Sequence, residues 1–414
     1  MTREGARKRN IEQLLGLAGA YKGLSRKKLA EALGRDPTKL FPETGNPKLD
    51  YVIRLADLLD WPVGDVAEVI WESEPADMSE ADGLGFEALD DLARQMHREG
   101  KAAEMLGASQ RMALAARTPH ERALAAHRES GAWNSFGRFN KELEAIRRGL
   151  QESPIPADLR SLLRVNLSHA YYTLGQHIEA RAMARDLLEE FAVSPPTSRA
   201  GRASRAFAAY VLGHANRSLM AQEPERSQER ASAAAESLAS SRDQYETLAA
   251  EFDNDPWRGI ANTCLGGLIE VEVELGRRSA GEAIAEIHRG LEAVGTDADG
   301  LKGDRLESYG WWCVFGCNIT LRHLAGGELQ RQMAVFTNKG YQIADRLNNW
   351  AMREQLFSME FVQRQQLNVL AGFPVEWTID ADDVRVLVGT MGRFPQFKST
   401  GWKILRTATV VGGH

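Results

Sequence analysis

The sequence predicts an all-α protein: a small basic helical bundle at the N-terminus, followed by an α-solenoid of stacked helical hairpins. Three observations carry this expectation. From Phe86 to about Leu370 apolar residues recur every three or four positions, and strand-like alternation is nearly absent. Helix breakers (Pro119, Pro154, Pro156, Pro195, Pro196, Pro224, Pro256, the stretch from Gly295 to Gly303, Gly326) cut this region at intervals of about 35–50 residues, the span of a helical hairpin. A pattern also repeats: Trp133, Gly137, Phe139, Ile146, Leu150 and Pro154 return 38 residues later as Tyr171, Gly175, His177, Ala184, Leu188 and Ala192. A bulky residue closes one helix, glycine turns the chain, a ring opens the next helix and an apolar pair comes after it.

Composition narrows the function. The 414 residues are 43% hydrophobic and 26% charged, which suits two or three soluble domains. Fifty-one Lys/Arg against 57 Asp/Glu leave a net charge of −6, so any nucleic-acid contact must be local. The charge is uneven: residues 1–48 hold 11 basic and 5 acidic side chains. Cys264, Cys313 and Cys317 are too few for a disulfide scaffold and fit a reducing cytoplasm. The apolar stretch after the basic start is broken by Glu12, Gln13 and Lys22, which argues against a signal peptide. No run approaches the ~18 apolar residues of a membrane span, so no membrane partner is expected.

In the head, Ser25 stands at an N-cap position, Leu29, Ala30 and Leu33 share one face, and Gly34 stops the helix. Asp36 can cap a second helix with Pro37 at its first position. A third helix, from Leu49 through Val52, Ile53, Leu55, Ala56 and Leu59, ends before Pro62. Residues 1–71 are read as one domain and the acidic segment 72–85 as a linker. Residues 86–370 form the repeat domain. In 371–414 the β-branched stretches Val384–Val388 and Thr407–Val411 leave a terminal hairpin, a cap and a partly ordered tail all open.

Ser25, Leu29, Ala30, Leu33, Gly34, Leu40, Glu43, Gly45, Pro47, Ile53, Leu55, Ala56 and Leu59 give the head a resemblance to Cro/C1-type helix-turn-helix regulators, the xenobiotic-response-element family. The resemblance spans about residues 11–66 and implies binding to double-stranded DNA. The expected contacts are Arg26, Lys27, Lys28, Arg35, Thr38, Lys39 and Lys48, with an Arg7-Lys8-Arg9 arm adding to the footprint. Pro42 departs from the pattern, because it falls in the recognition helix and ends it after one turn. Phosphate contact therefore outweighs base readout.

Leu212-Gly213, Leu265-Gly266 and Trp312-x-x-Phe315-Gly316-x-x-Ile319, with Ala180 and Ala283 as small second-helix residues, resemble the tetratricopeptide repeat. In such arrays first helices line a concave face. That register places His127, Asn134, Val165, His169, Tyr172, Tyr210, His214, Arg217, Thr263 and Glu270 inward. The candidate ligand residues are His169, Tyr172, Tyr210, His214 and Arg217, able to hold an extended peptide or partner segment. Arg217 is the expected carboxylate fork. An Arg217 locked in an ion pair between repeats would count against the groove and favour an adaptor.

Catalysis has no sequence support: there is no H-E-x-x-H, no Walker loop and no nucleophile elbow. Cys313 and Cys317 read as buried structural residues beside Trp311, Trp312 and Phe315, and Asp382-Asp383 as a solvated turn. No cofactor or metal is expected. The join of the two halves resembles peptide-sensing bacterial transcription regulators and implies a cytoplasmic homodimer whose array responds to a peptide or protein. The alternative is a protein–protein adaptor whose head no longer binds DNA.

Overall fold

A computed structural model describes residues 3–42, 46–61, 63–71, 83–293 and 301–411. Glu43, Gly45, Pro62, most of the expected linker (72–82) and Gly295 lie outside these described residues. The chain divides into two compact units, Met1–Asp77 and Met78–His414.

The first unit holds α1 (Arg3–Lys22), α2 (Arg26–Ala32), α3 (Leu49–Leu59) and α4 (Val63–Ile70). One core joins them: Ile11, Leu14, Leu15 and Ala18 meet Leu29, Ala30, Leu33, Val52, Leu55, Ala56, Leu59, Val66 and Ile70. Ala30 is fully buried. Gly34 takes a φ of +63° with the Arg54 guanidinium lying across it, so any side chain there is doubly disfavoured. The Tyr21 hydroxyl and Lys22 Nζ both donate to the Asp60 carboxylate, at 2.8 and 2.7 Å, and tie the end of α1 to that of α3.

The second helix expected after Asp36 does not form. Asp36 does cap, accepting from the Thr38 backbone N–H at 2.8 Å, but the capped segment is one 3-10 turn, Pro37–Lys39. Residues 40–42 and 46–48 are not helical. The Tyr51 hydroxyl donates to the Leu40 carbonyl at 3.2 Å and holds the turn against α3. Ser25 occupies the N-cap of α2 without its side chain capping. Arg7-Lys8-Arg9, expected as an arm, lies within α1.

The second unit begins with α5 (Phe86–Arg98), α6 (Ala102–Ala115), α7 (Pro119–Ser135), α8 (Phe139–Gln151), α9 (Ala157–Thr173) and α10 (His177–Val193). It continues through α11 (Arg199–Gln222), α12 (Ser227–Phe252), α13 (Asp255–Glu274), α14 (Ala280–Ala293), α15 (Gly303–His323), α16 (Gly326–Leu347) and α17 (Trp350–Ala371). Each pair from α5/α6 to α15/α16 is an antiparallel hairpin, and each first helix touches the first helix of the next pair. This is an all-α solenoid of stacked hairpins. The repeated skeleton falls where the sequence puts it. Gly137 and Gly175 turn with φ of +65° and +75°, and α8 and α10 each start two residues later. Gly213, Gly266 and Gly316 allow close helix approach, since a Cβ on them would overlap Leu238, Trp312 or Phe336. Pro119 occupies the first position of α7 behind a Thr118/Glu121 capping box.

Of the three alternatives left open for the terminal segment, the structure takes the cap, packed on α17 and on the early hairpins. Val384–Val388 is helical, inside α18 (Ala381–Arg393), because Asp380 and Asp383 form a capping box that outweighs the β-branched residues. Asp382 and Asp383 are therefore solvated, but in the first turn of α18 rather than in a loop. After α19 (Lys398–Thr407), β2 (Thr409–Val410) pairs in parallel with β1 (Thr378–Ile379), so no hairpin forms. This segment packs back on the early repeats: Leu387, Met391, Phe394, Phe397 and Ile404 share a core with Phe139, Leu143, Ile146, Leu159 and Leu163. Arg393 Nε donates to the Phe136 carbonyl at 3.3 Å, and the Phe394 and Phe139 rings lie 5.2 Å apart. The array thus closes on itself.

Candidate functional site

Helices α7, α9, α11, α15 and α17 line a cavity of about 600 Å³. His169 and Tyr172 reach its wall from α9, and Tyr210, His214 and Arg217 from α11. All five expected ligand residues therefore share one cavity. Asn134 also lines it, whereas His127, Val165, Thr263 and Glu270 do not. Helix α13 stands back for a local reason. Its Gly266-Gly267 pair leaves room for side chains from both neighbours: a Cβ on Gly267 would come 3.0 Å from His214 Cε1, and one on Gly266 would overlap Trp312 and approach Phe315. The His214 and Phe315 rings stack with centroids 5.7 Å apart, so α11 and α15 meet over α13.

Arg217 is not the free fork the sequence suggests. Its NH1 donates to Glu270 of α13 at 2.9 Å, its NH2 to the Tyr172 hydroxyl at 3.2 Å and its Nε to His214 Nδ1 at 3.3 Å. The guanidinium also lies 4.7 Å from the Phe315 ring centre. This is the ion pair between repeats that counts against the groove assignment and favours the adaptor alternative. Physically, a buried guanidinium needs a carboxylate, and Glu270 one hairpin on supplies it. What Arg217 does is orient. By donating to His214 Nδ1 it places the histidine proton on Nε2, and that buried nitrogen has no partner.

The other histidines of the cavity are neutral. Burial lowers His169 to about 4, and burial, with Arg217 nearby, lowers His177 to about 4. Burial first and then Arg217 push His214 well below the usual histidine range. The charged part of the wall comes from helices outside the expected register. Asp304, Glu307 and Glu354 line the cavity from α15 and α17, beside Trp311, Asn318 and Arg322. Burial raises Asp304 to about 6, with Glu307 adding to the shift, and raises Glu354 to about 7. Glu307 is also raised by burial, against hydrogen bonds from Trp311 Nε1 (3.1 Å) and Asn349 Nδ2 (2.9 Å). Hydropathy hides these acids in the sequence. The D-x-x-E spacing on α15 is their one visible signal.

In the first unit Arg26, Lys27, Lys28, Thr38, Lys39 and Lys48 are exposed, and Arg35 is half-buried. Arg26 lies over the Phe41 ring at 5.7 Å and Arg35 over Tyr51 at 5.5 Å. With Pro37–Lys39 a single 3-10 turn, no recognition helix stands behind these cations among the described residues. Cys264, Cys313 and Cys317 are buried and unoxidised, and burial raises Cys264 and Cys313 to about 12. Among the described residues no helix is long and apolar enough to cross a membrane.

No protein-family profile matches the chain, and no curated protein does. Among solved structures, the chain is similar to PlcR of Bacillus thuringiensis, crystallised in complex with the peptide PapR7 and DNA. The two are 14% identical with a TM-score of 0.35, over 70% of this chain and 99% of that one.

Proposed function

We propose that this chain is a cytoplasmic, non-enzymatic transcription regulator: a basic head that contacts DNA phosphates, joined to a tetratricopeptide-like array that senses a ligand in its cavity. The observation that carries the reading is the cavity itself, in whose wall His169, Tyr172, Tyr210, His214 and Arg217 come together. A cavity volume of about 600 Å³ falls within the range of small-molecule sites.

For the head, exposed cations and a missing recognition helix support phosphate-dominated contact with double-stranded DNA. Changing Arg26, Lys27 and Lys28 to Ala in the full chain is expected to weaken binding to every duplex. The log–log salt slope should fall by roughly one unit per lost phosphate contact. Unaltered affinity and slope in the triple variant would remove this surface. A head of this size covers one half-site, so the reading includes a homodimer whose geometry on DNA responds to ligand. Light scattering at micromolar concentration should give twice the chain mass, and a monomer both with and without DNA would count against it. The adaptor reading keeps two specific supports, the Arg217–Glu270 ion pair between repeats and the 3-10 turn in place of the recognition helix, and it prevails if no duplex binds at low salt.

A further inference from the structure

The charges around the cavity do not cancel. Its two guanidiniums are already compensated by carboxylates that do not line it. Arg217 pairs with Glu270 at 2.9 Å, and Arg322 lies 3.4 Å from Glu270 and 3.7 Å from Glu274. Its three histidines are neutral. Its three acids, Asp304, Glu307 and Glu354, have no cation within ion-pair distance among the described residues. Glu354 accepts only from its neighbours Gln355 and Ser358, at 2.6 and 3.2 Å.

Asp304 and Glu307 lie one turn apart on the same face of α15. Glu307 is held in place by two neutral donors, Trp311 Nε1 and Asn349 Nδ2. Neutral donors orient a carboxylate but leave its charge unbalanced. Trp311 itself lines the cavity and offers a π face beside the acids.

We propose that the cavity takes a ligand bearing an ammonium or guanidinium group, seated between Asp304 and Glu307 beside Trp311. This deepens the sensor reading and rests on it. The cation supplies the missing countercharge. On α15, Glu307 and Asn318 are three turns apart, about 16 Å, which leaves length for an extended chain of about five residues. A peptide α-amine and a free alkylamine are two sources of the same cation, and the test separates them.

The experiment measures the thermal midpoint of the full chain with 10 mM tetra-alanine, N-acetyl-tetra-alanine or 1,5-diaminopentane. The free-amine peptide is expected to raise the midpoint by about 2 °C through mass action, and its acetylated form to raise it far less. A shift with diaminopentane but not tetra-alanine assigns the cation to a free amine and supports the same seat. Asp304→Asn is expected to abolish the shift, while the unliganded midpoint rises, because burial holds the Asp304 carboxyl above its ordinary range and Asn removes that charge. Glu307→Gln should abolish it as well. Equal shifts from the free and acetylated peptides would overturn the ammonium seat and leave the cavity reading standing. No shift with any probe, or an undiminished one in Asp304→Asn, would overturn the proposal too.

Discussion

Replacing Arg217 by Ala is expected to destabilise the array by about 3–5 kcal/mol, read as a lower urea midpoint in tryptophan fluorescence. The Arg217 and Glu270 side chains are 5% and 1% exposed, so neither charge has water to fall back on. Removing the arginine leaves Glu270 with Asn318 Nδ2 at 3.2 Å, while Arg322 at 3.4 Å is within ion-pair distance of Glu270 Oε1 without hydrogen-bond geometry. A buried carboxylate so weakly compensated accounts for the size of the loss. The double change Arg217→Met with Glu270→Leu should recover most of it, because no charge then remains buried. A single variant as stable as the parent would show that the pair is already hydrated. The same pair also explains why a combined Arg217 and Tyr172 change is a poor probe of ligand response: it disturbs the scaffold along with the site.

Glu142→Gln is expected to stabilise the array, increasingly so as pH rises. Glu142 on α8 is 4% exposed and accepts one hydrogen bond, from Asn134 Nδ2 at 2.9 Å. Burial raises its carboxyl from 4.5 to about 8, partly opposed by Asn134. The folded chain therefore keeps a proton that the unfolded chain releases. The stability that goes with this proton is full below about 4.5 and is lost as pH climbs through about 8. Gln keeps the shape and the Asn134 hydrogen bond without the charge. The gain should be small at pH 5 and reach about 4 kcal/mol near pH 9, measured as midpoint against pH for both proteins. A gain that does not change with pH would mean that Glu142 is ionised in the fold.

The hairpins are legible because their signals are local. Gly137 and Gly175 turn the chain where the repeat predicts, and the glycines after Leu212, Leu265 and Phe315 sit at close helix contacts. The head is legible except where two local signals conflict. Asp36 and Pro37 start a helix that Pro42 forbids, and the compromise is a 3-10 turn. At Val384–Val388 side-chain branching suggested a strand, while the Asp380/Asp383 box, present in the same stretch of sequence, decides for helix. The cavity is half legible. His169, Tyr172, Tyr210 and His214 come from the register of α9 and α11. Asp304, Glu307 and Glu354 join them because the array curves until α15 and α17 face α9, a long-range outcome that no window of residues encodes.

The return of the terminal helices onto the early hairpins changes how this array should fold. An open solenoid touches only its neighbours, so it can fray from either end and unfold repeat by repeat. Here the Arg393–Phe136 hydrogen bond joins residues 257 positions apart, and the Phe139–Phe394 contact fuses the second hairpin and the terminal segment into one core. Fraying from the C-terminus exposes apolar surface at both places at once, which penalises partial unfolding and favours a single cooperative transition for Met78–His414. The same contact lengthens the mean sequence separation of native pairs and slows the final step of folding. Until residues near 394 have been made and docked, Phe139 and its neighbours are left uncovered. A nascent chain is therefore most prone to association when it is almost complete.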